Sequence, residues 1–222
     1  MRKALATAVL LAVAMSLLPV SAHAYAGETG QGGIAASENP FADVTPDDWF
    51  CDSVLYVHRI GLMTGTAADT FSPLAGMTRA MAVTVLHRLS GDKGSYTNIF
   101  SDVPSGAWYE NAVAWAAACG IDGGVGDGCF APDREVTREQ FAVLMHNYAK
   151  HTGLDVSIGE DTNILSYNDA FGISEHAYAA LQWACGAGII GGDDRGNLNP
   201  HAAASRAEVA AMLQRFMENV ID

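Results

Sequence analysis

Residues 100–140 read FSDVPSGAWYENAVAWAAACGIDGGVGDGCFAPDREVTREQ. The stretch begins with an aromatic residue two positions before Asp102, continues through a Trp-Tyr pair, and enters a helix of mostly small residues that ends at Gly120. A glycine-rich turn, a Phe-x-Pro sequence and a Thr-Arg pair that begins a second helix complete it. The same landmarks occur in the same order in two other segments, which is typical of a repeat protein.

The arginine that begins the second helix sets the register of the three copies. It recurs as Arg79, Arg138 and Arg206, at spacings of 59 and 68 residues. The aspartates that open the copies are Asp43, Asp102 and Asp169. These landmarks divide the chain into a leader at 1–24, a flexible lead-in at 25–40, and repeats at 41–99, 100–166 and 167–222. The middle repeat includes a surface connection to the third, in which the alternating residues 154–158 predict a short strand.

The second helices are predicted to be amphipathic. In the middle copy the apolar residues Phe141, Leu144, Met145 and Tyr148 lie at positions i, i+3, i+4 and i+7, so they share one face of a helix. The first helices consist mainly of small residues, which permit close helix approach. Because such helices can bury their apolar faces against one another, the sequence predicts an all-α fold with one joint core.

This constellation resembles the S-layer homology family over about residues 41 to 219. The resemblance is carried by Asp-Val in the opening, Trp-Tyr, Gly-Ile at the end of the first helix, Phe-x-Pro after the turn, and Thr-Arg. It implies three helix-loop-helix repeats packed with pseudo-threefold symmetry around a central helical bundle. It also implies non-covalent anchoring to the bacterial cell wall, through anionic and often pyruvylated secondary wall polysaccharide held in grooves between adjacent repeats.

The three arginines follow helix caps and carry the site prediction. Thr137 with Gln140, and Ser205 with Glu208, are predicted to form capping boxes. An arginine directly after such a cap lies at the positive end of the helix dipole, which costs about 0.3–1 kcal/mol. Three placements of this kind indicate an anionic partner. From the residues alone, that partner is either an internal carboxylate, such as an opening aspartate or the next acidic residue in sequence, or a ligand carboxylate.

The resemblance favours a ligand and implies which residues bind it. The implied polysaccharide-binding residues are Arg79, Arg138, Arg206, Trp49, Trp108, Asp43, Asp102 and Asp169. The third copy has His176 and Ala177 where the second has Trp108 and Tyr109. We therefore expect the groove of Arg206 to lack its aromatic pair and to bind more weakly than that of Arg138.

The first 24 residues indicate export. Arg2 and Lys3 precede an apolar run of about 15 residues, shorter than the roughly 20 needed to span a membrane, and Ala22-His23-Ala24 is typical of a signal cleavage site. The mature chain is therefore expected at the cell surface, with no membrane span. Loss of Arg2 and Lys3 leaves 10 of 12 basic residues against 25 acidic ones, which takes the formal charge from −13 to −15. Such an acidic chain is a poor nucleic-acid binder.

Export also permits disulfide bonds between the four cysteines. Cys119 and Cys129 flank one glycine-rich turn and are the pair expected to join first. The alternative is that the cysteines are buried free thiols that pack as small apolar residues.

Other chemistry receives little support from the sequence. The acidic turns at 122–128 and 192–197 lack the terminal glutamate of an EF-hand loop, and the seven histidines show no metal-ligand spacing. No nucleophile motif is present. We therefore predict no catalytic residue, no metal and no cofactor. Two alternatives to the wall anchor stay open: a surface adaptor that binds another surface protein, and a wall-glycan hydrolase that uses paired carboxylates.

Overall fold

The computed structural model describes residues 39–159 and 161–221. This part of the chain contains helices and isolated β-bridges but no β-strand, which confirms the predicted all-α fold. The six α-helices, two in each repeat, are α1 (Cys51–Arg59), α2 (Arg79–Ser90), α3 (Glu110–Ala118), α4 (Arg138–His151), α5 (Tyr178–Gly186) and α6 (Arg206–Phe216). The predicted secretion signal and nearly all of the lead-in lie outside the described residues.

Side-chain caps begin the second helices as the sequence predicts. Thr137 accepts the backbone N–H of Gln140 and the Gln140 side chain accepts the N–H of Thr137, and Ser205 and Glu208 form the same box. Thr78 caps α2 through the N–H of Met81 alone, because a methionine offers no oxygen for the return bond. Each second helix therefore begins at its Thr-Arg or Ser-Arg pair, which fixes where the three arginines lie.

Each first helix packs against the second helix of the preceding repeat. Thus α3 packs on α2 and α5 on α4, while α1 packs on α6 and so joins the first repeat to the last. A tryptophan fills each of the first two interfaces: Trp115 lies 5.0 Å from the ring of His87, and Trp183 lies 5.3 Å from that of His146, measured between ring centroids. The contacts close into a cycle of three repeats, and its threefold symmetry remains a prediction.

A backbone ring joins the segments that lead into the second helices. Met77 N–H donates to the carbonyl of Ala204, Ala204 N–H to that of Val136, and Val136 N–H to that of Met77, each at 2.9 Å. All three residues are fully buried. The starts of α2, α4 and α6 are therefore held against one another in the interior, and each arginine lies next to the turn of another repeat.

The connection between the second and third repeats differs from the prediction. Residues 157–159 form a short 3₁₀-helix in place of a strand, because Asp155 accepts both the N–H and the hydroxyl of Ser157 and bends the chain. Gly159 packs directly on the backbone of Trp183 in α5, and Ile164 is fully buried. The connection is thus partly a core element. Three further 3₁₀-helices, Ile164–Ser166, Ala170–Gly172 and Glu175–Ala177, lead into α5, and a π-helical turn, Met217–Ile221, follows α6.

All four cysteines are free thiols, contrary to the predicted Cys119–Cys129 disulfide. Cys119 ends α3 and packs against the core, where burial raises its thiol pKa and the charge of Asp92 adds to that shift. The sulfur of Cys129 instead lies 3.7 Å from the hydroxyl of Ser101, in the opening of the same repeat. The two cysteines flank the turn in sequence but belong to different local environments.

Candidate functional site

In the part of the chain that the structure describes, three grooves that contain an arginine lie between the repeats, and we name each by its arginine. The Arg206 groove is bordered by Thr64-Gly65 and Trp108, the Arg138 groove by Gly191-Gly192 and Trp49, and the Arg79 groove by Gly123-Gly124 and His176. Each groove thus combines the arginine of one repeat and the turn of the next with the aromatic position of the remaining one, which is Trp49, Trp108 or His176. Their volumes are about 370, 500 and 260 Å³, respectively. The first two reach the roughly 300–1,000 Å³ that small-molecule sites occupy.

One hydrogen bond positions all three arginines. The Nε–H of Arg79, Arg138 and Arg206 donates to a turn carbonyl of the next repeat, at 2.8, 2.8 and 2.9 Å. The accepting carbonyls belong to Phe130, Leu198 and Phe71. This bond holds neighbouring repeats together and explains an arginine at each helix start. The grooves differ in the partners of the Nη groups of each guanidinium.

The Arg206 groove contains two cations. Arg206 Nη2 donates to the carbonyl of Thr64 at 2.7 Å, its guanidinium lies 4.5 Å from the centre of the Phe71 ring, and within the described residues its Nη1 has no hydrogen-bond partner. Burial lowers the pKa of Arg206, and the negative charge of Asp43 opposes that shift. Arg88 lines the same groove and donates to the carbonyl of Leu62 at 3.0 Å. No Asp or Glu occurs among its described lining residues.

The Arg138 groove has more negative charge. Arg138 Nη1 forms a 2.8 Å ion pair with Glu208, and its Nη2 donates to the carbonyl of Gly191 at 3.1 Å. Asp193 and Asp194 also line the groove. Hydrogen bonds from the backbone of Asn197 and the side chain of Asn199 hold the pKa of Asp193 well below its usual range, so it is ionised at neutral pH. Arg215 is the second cation.

The Arg79 groove contains an internal ion pair. Arg79 Nη2 donates to both carboxylate oxygens of Asp122 at 2.8 Å, and Asp122 also accepts the backbone N–H of Gly124 at 3.0 Å. Arg79 and Asp122 are both buried, with 6% and 8% of their surface exposed. The positions taken by Trp and a second Arg in the other grooves are occupied by His176 and Asn147.

A profile of the S-layer homology domain matches residues 40–82, 99–142 and 166–210. The chain belongs to this family. Each matched segment contains one opening aspartate and one helix-starting arginine, so the S-layer homology repeats contribute all three groove arginines.

Several curated relatives contain a segment that is similar to the chain. The chain is 28% identical to an endoglucanase of Bacillus sp. (strain KSM-635) over 99% of its own length and 22% of the relative. It is 29% identical to the surface-layer 125 kDa protein of Lysinibacillus sphaericus, over 72% of its length and 13% of the relative. It is 26% identical to the cellulosome-anchoring protein of Acetivibrio thermocellus, over 70% of its length and 35% of the relative. The chain therefore spans about a third or less of these relatives, and its family and similarities place it at the cell surface.

The structure separates the predicted site residues into two groups. Both tryptophans lie in grooves and are largely exposed, Trp49 by 65% and Trp108 by 63%. The three opening aspartates do not line any of the three described grooves. Each accepts two backbone N–H groups in the turn of its own S-layer homology repeat, and the donors are residues 71–72 for Asp43, 130–131 for Asp102 and 198–199 for Asp169.

The expectation that the Arg206 groove lacks an aromatic side is wrong. Trp108 borders that groove, and the residue without an indole, His176, lies with Arg79. The assignment fails because the aromatic position does not come from the repeat that supplies the arginine. Internal carboxylates also differ from the candidates considered: Glu139, next in sequence to Arg138, accepts bonds from Ser174, whereas Glu208 pairs with Arg138.

The sequence interpretation missed four groove residues. Arg88, Asn147 and Arg215 each lie nine positions after a groove arginine and donate to the carbonyl that follows the helix-ending glycine of their own repeat. The constant spacing is a signal, but cations near helix ends are also explained by the helix dipole. Asp122 gives no signal of its own, since aspartate in a glycine-rich turn is ordinary.

The described residues support neither a metal site nor a membrane-spanning helix. No group of three or more His, Cys, Asp and Glu side chains is arranged to hold a metal ion in this part of the chain. None of the helices described is long and apolar enough to cross a membrane.

Proposed function

We propose that the chain anchors to the cell wall by binding an anionic, pyruvylated secondary wall polysaccharide in the Arg206 and Arg138 grooves. The observation that carries the proposal is the Arg206 groove, which combines two guanidiniums and an exposed indole without a carboxylate among its described lining residues. A guanidinium binds a ligand carboxylate through charge-assisted hydrogen bonds. The indole offers an apolar face on which the C–H groups of a sugar ring pack.

Local charge matters here because the whole chain repels anions. With a formal charge of −13, long-range steering opposes an acidic polysaccharide. Binding then depends on short-range bonds made inside a groove, where part of the solvent is excluded. The Arg206 groove meets this requirement best, and the Arg138 groove meets it less well because Glu208 shares its arginine.

The relatives support anchoring as the purpose of this binding. Their names include a surface-layer protein and a cellulosome-anchoring protein, which align with 72% and 70% of the chain. The glucanase names do not transfer an activity, since the chain aligns with only 22% of the endoglucanase. We assign no catalytic role to the chain.

Calorimetric titration of the protein with purified wall polysaccharide tests the proposal. We expect saturable binding that disappears when the acidic substituents are removed from the polysaccharide, and that weakens in Arg206→Ala. Arg59→Ala is the matched control, because Arg59 is exposed and lines none of the three grooves. Equal binding of the stripped polysaccharide would rule out anion recognition in the grooves.

A protein partner is the second candidate function. Phe171 is 91% exposed, and Leu165, on the neighbouring 3₁₀-helix, is 52% exposed. Exposed apolar side chains of this size are typical of protein contact surfaces. An adaptor of this kind would still be retained on cell walls from which the polysaccharide had been extracted, whereas an anchor would be released.

A further inference from the structure

The position of Asp122 distinguishes the Arg79 groove from the other two. Each repeat has an equivalent position two residues after the glycine that ends its first helix, and these residues are Met63, Asp122 and Ile190. Where the residue is apolar, the arginine Nη2 donates to a backbone carbonyl, which is that of Thr64 or Gly191. Where it is Asp122, the same nitrogen donates to a carboxylate.

We propose that Asp122 acts as a built-in substitute for the ligand carboxylate and closes the Arg79 groove to anions. The chain then has two anion-binding grooves, and the residue two positions after the helix-ending glycine determines which grooves these are. The ligand class rests on the proposed function, but the closure of the groove rests on the Arg79–Asp122 pair alone. An incoming anion must displace Asp122 and leave that buried carboxylate without a counter-charge, which is strongly unfavourable.

Two further changes in the same groove act in the same direction. His176 replaces the indole and Asn147 replaces the second arginine, so the groove lacks both the apolar platform and the extra cation of the Arg206 groove. Its volume, about 260 Å³, is also the smallest of the three. Asp122, Asn147 and His176 lie in different elements of the structure, yet each of them makes the Arg79 groove less able to hold an acidic sugar.

Arginine Nε–H signals in NMR spectra measure the availability of each guanidinium directly. The probes are sodium sulfate and a methyl glycoside that carries a pyruvate ketal, and the signals are assigned with single Arg→Lys variants. We expect both probes to shift the Arg206 signal and to leave that of Arg79 in place. A shift of the Arg79 signal as large as that of Arg206 would overturn the inference, and no shift of any of the three arginines with either probe would overturn it together with the proposed function.

The two proposals fail separately in this experiment. If sulfate shifts Arg206 alone and the ketal glycoside shifts nothing, the pyruvylated ligand is wrong and the closed Arg79 groove stands. If the glycoside binds and also shifts Arg79, the proposed function stands and the closed groove is wrong.

Paired variants test the inference without leaving a buried charge unpaired. The double variant Arg79→Met with Asp122→Met removes both partners, and exchange of a buried ion pair for apolar residues is commonly tolerated. We expect it to bind the ketal glycoside within about twofold of the unmodified chain, whereas Arg206→Met loses about tenfold or more. A loss in the double variant equal to that in Arg206→Met, with an unchanged thermal melt, would refute the inference.

A gain of function completes the test. The triple variant Asp122→Met, Asn147→Arg, His176→Trp gives the Arg79 groove the side chains of the Arg206 groove. We expect the stoichiometry for the ketal glycoside to rise by one site. The control carries Asn147→Arg and His176→Trp with Asp122 retained, and we expect no added site in that variant. An added site in the control would show that Asp122 does not close the groove.

Discussion

Asp102 accepts a 2.7 Å hydrogen bond from the backbone N–H of Ala131, a residue whose φ is 57°. The left-handed backbone is unfavourable for a residue with a Cβ, by about 1–2 kcal/mol. The same pairing joins Asp43 to Ser72 and Asp169 to Asn199, whose φ angles are 58° and 53°. The opening aspartate of each repeat therefore stabilises a strained turn, and this accounts for its recurrence without a ligand.

Asp102→Ala is expected to destabilise the fold and leave anion binding unchanged. The substitution removes the acceptor of two backbone N–H groups, those of Phe130 and Ala131, and should lower the free energy of unfolding by about 1–3 kcal/mol. Denaturant unfolding measures the loss. Asp133→Ala is the control, since Asp133 is exposed in the same turn and its replacement removes the same charge. Equal stability of the two variants would contradict the structural role of Asp102.

Arg206→Ala is expected to weaken polysaccharide binding more than Arg138→Ala. Arg206 has no carboxylate partner among the described residues, whereas Arg138 is already paired with Glu208. Loss of a charge-assisted bond to the ligand costs roughly 1.5–3 kcal/mol, or about one to two decades of affinity. Calorimetry with the wall polysaccharide measures both variants, alongside thermal melts. The reverse order of effects would show that Glu208 does not compete for Arg138.

Glu208→Gln is expected to strengthen anion binding in the Arg138 groove. Glutamine keeps the capping box, as Gln140 does for Thr137, but removes the negative charge that pairs with Arg138. We expect the affinity of this groove for the acidic polysaccharide to rise by about threefold to tenfold. Glu218→Gln, which changes the same charge outside the grooves, serves as the control. Unchanged affinity in Glu208→Gln would mean that the pair does not limit binding.

The stability of the fold is expected to decrease as the pH falls below about 6.5. Burial lowers the pKa of His87, with Asp92 opposing and Lys93 adding to that shift, and burial together with Lys150 lowers the pKa of His146. Because the unfolded chain then binds more protons than the folded one, acid favours unfolding in this range. The melting temperature between pH 7.5 and 5 measures the effect.

A double variant assigns this pH dependence to the two histidines. Gln214 occupies the equivalent position in α6, so His87→Gln with His146→Gln places a natural counterpart in all three helices. The variant should lose most of the slope above pH 5, where the carboxylates remain ionised. An unaltered slope would place the titrating groups elsewhere.

Gly192→Ala is expected to destabilise the third repeat through a steric clash. A Cβ at this position would lie 2.5 Å from Cε1 of Tyr167, the aromatic residue that opens the repeat. Overpacking of this kind costs about 1–3 kcal/mol. Gly191→Ala is the neighbouring control, since a Cβ there meets no atom within 4 Å. Thermal melts compare the two, and a normal melt for Gly192→Ala would show that the Tyr167 ring moves aside freely.

Local patterns in the sequence predicted the helices and their starts, because those features depend on residues within one or two turns. The capping boxes of Thr137 and Ser205 are examples. The sides of the grooves were not predictable in this way. Trp108 and Arg206 meet only because the repeats close into a cycle, and no pattern within a single repeat encodes that order. The ion pair of Asp122 could not be predicted for a related reason: its partner, Arg79, lies 43 residues earlier in another repeat.

The cyclic packing of α1 on α6 has a consequence for valency. Since each of the three described grooves takes its arginine, its turn and its aromatic position from three different repeats, a single added or lost repeat does not add or remove a single groove. Two repeats would carry no complete groove, and a fourth would find every helix of the cycle already paired. Under the proposed function, anchoring strength in this architecture would therefore change by whole triplets of repeats, or by single substitutions that open or close one groove.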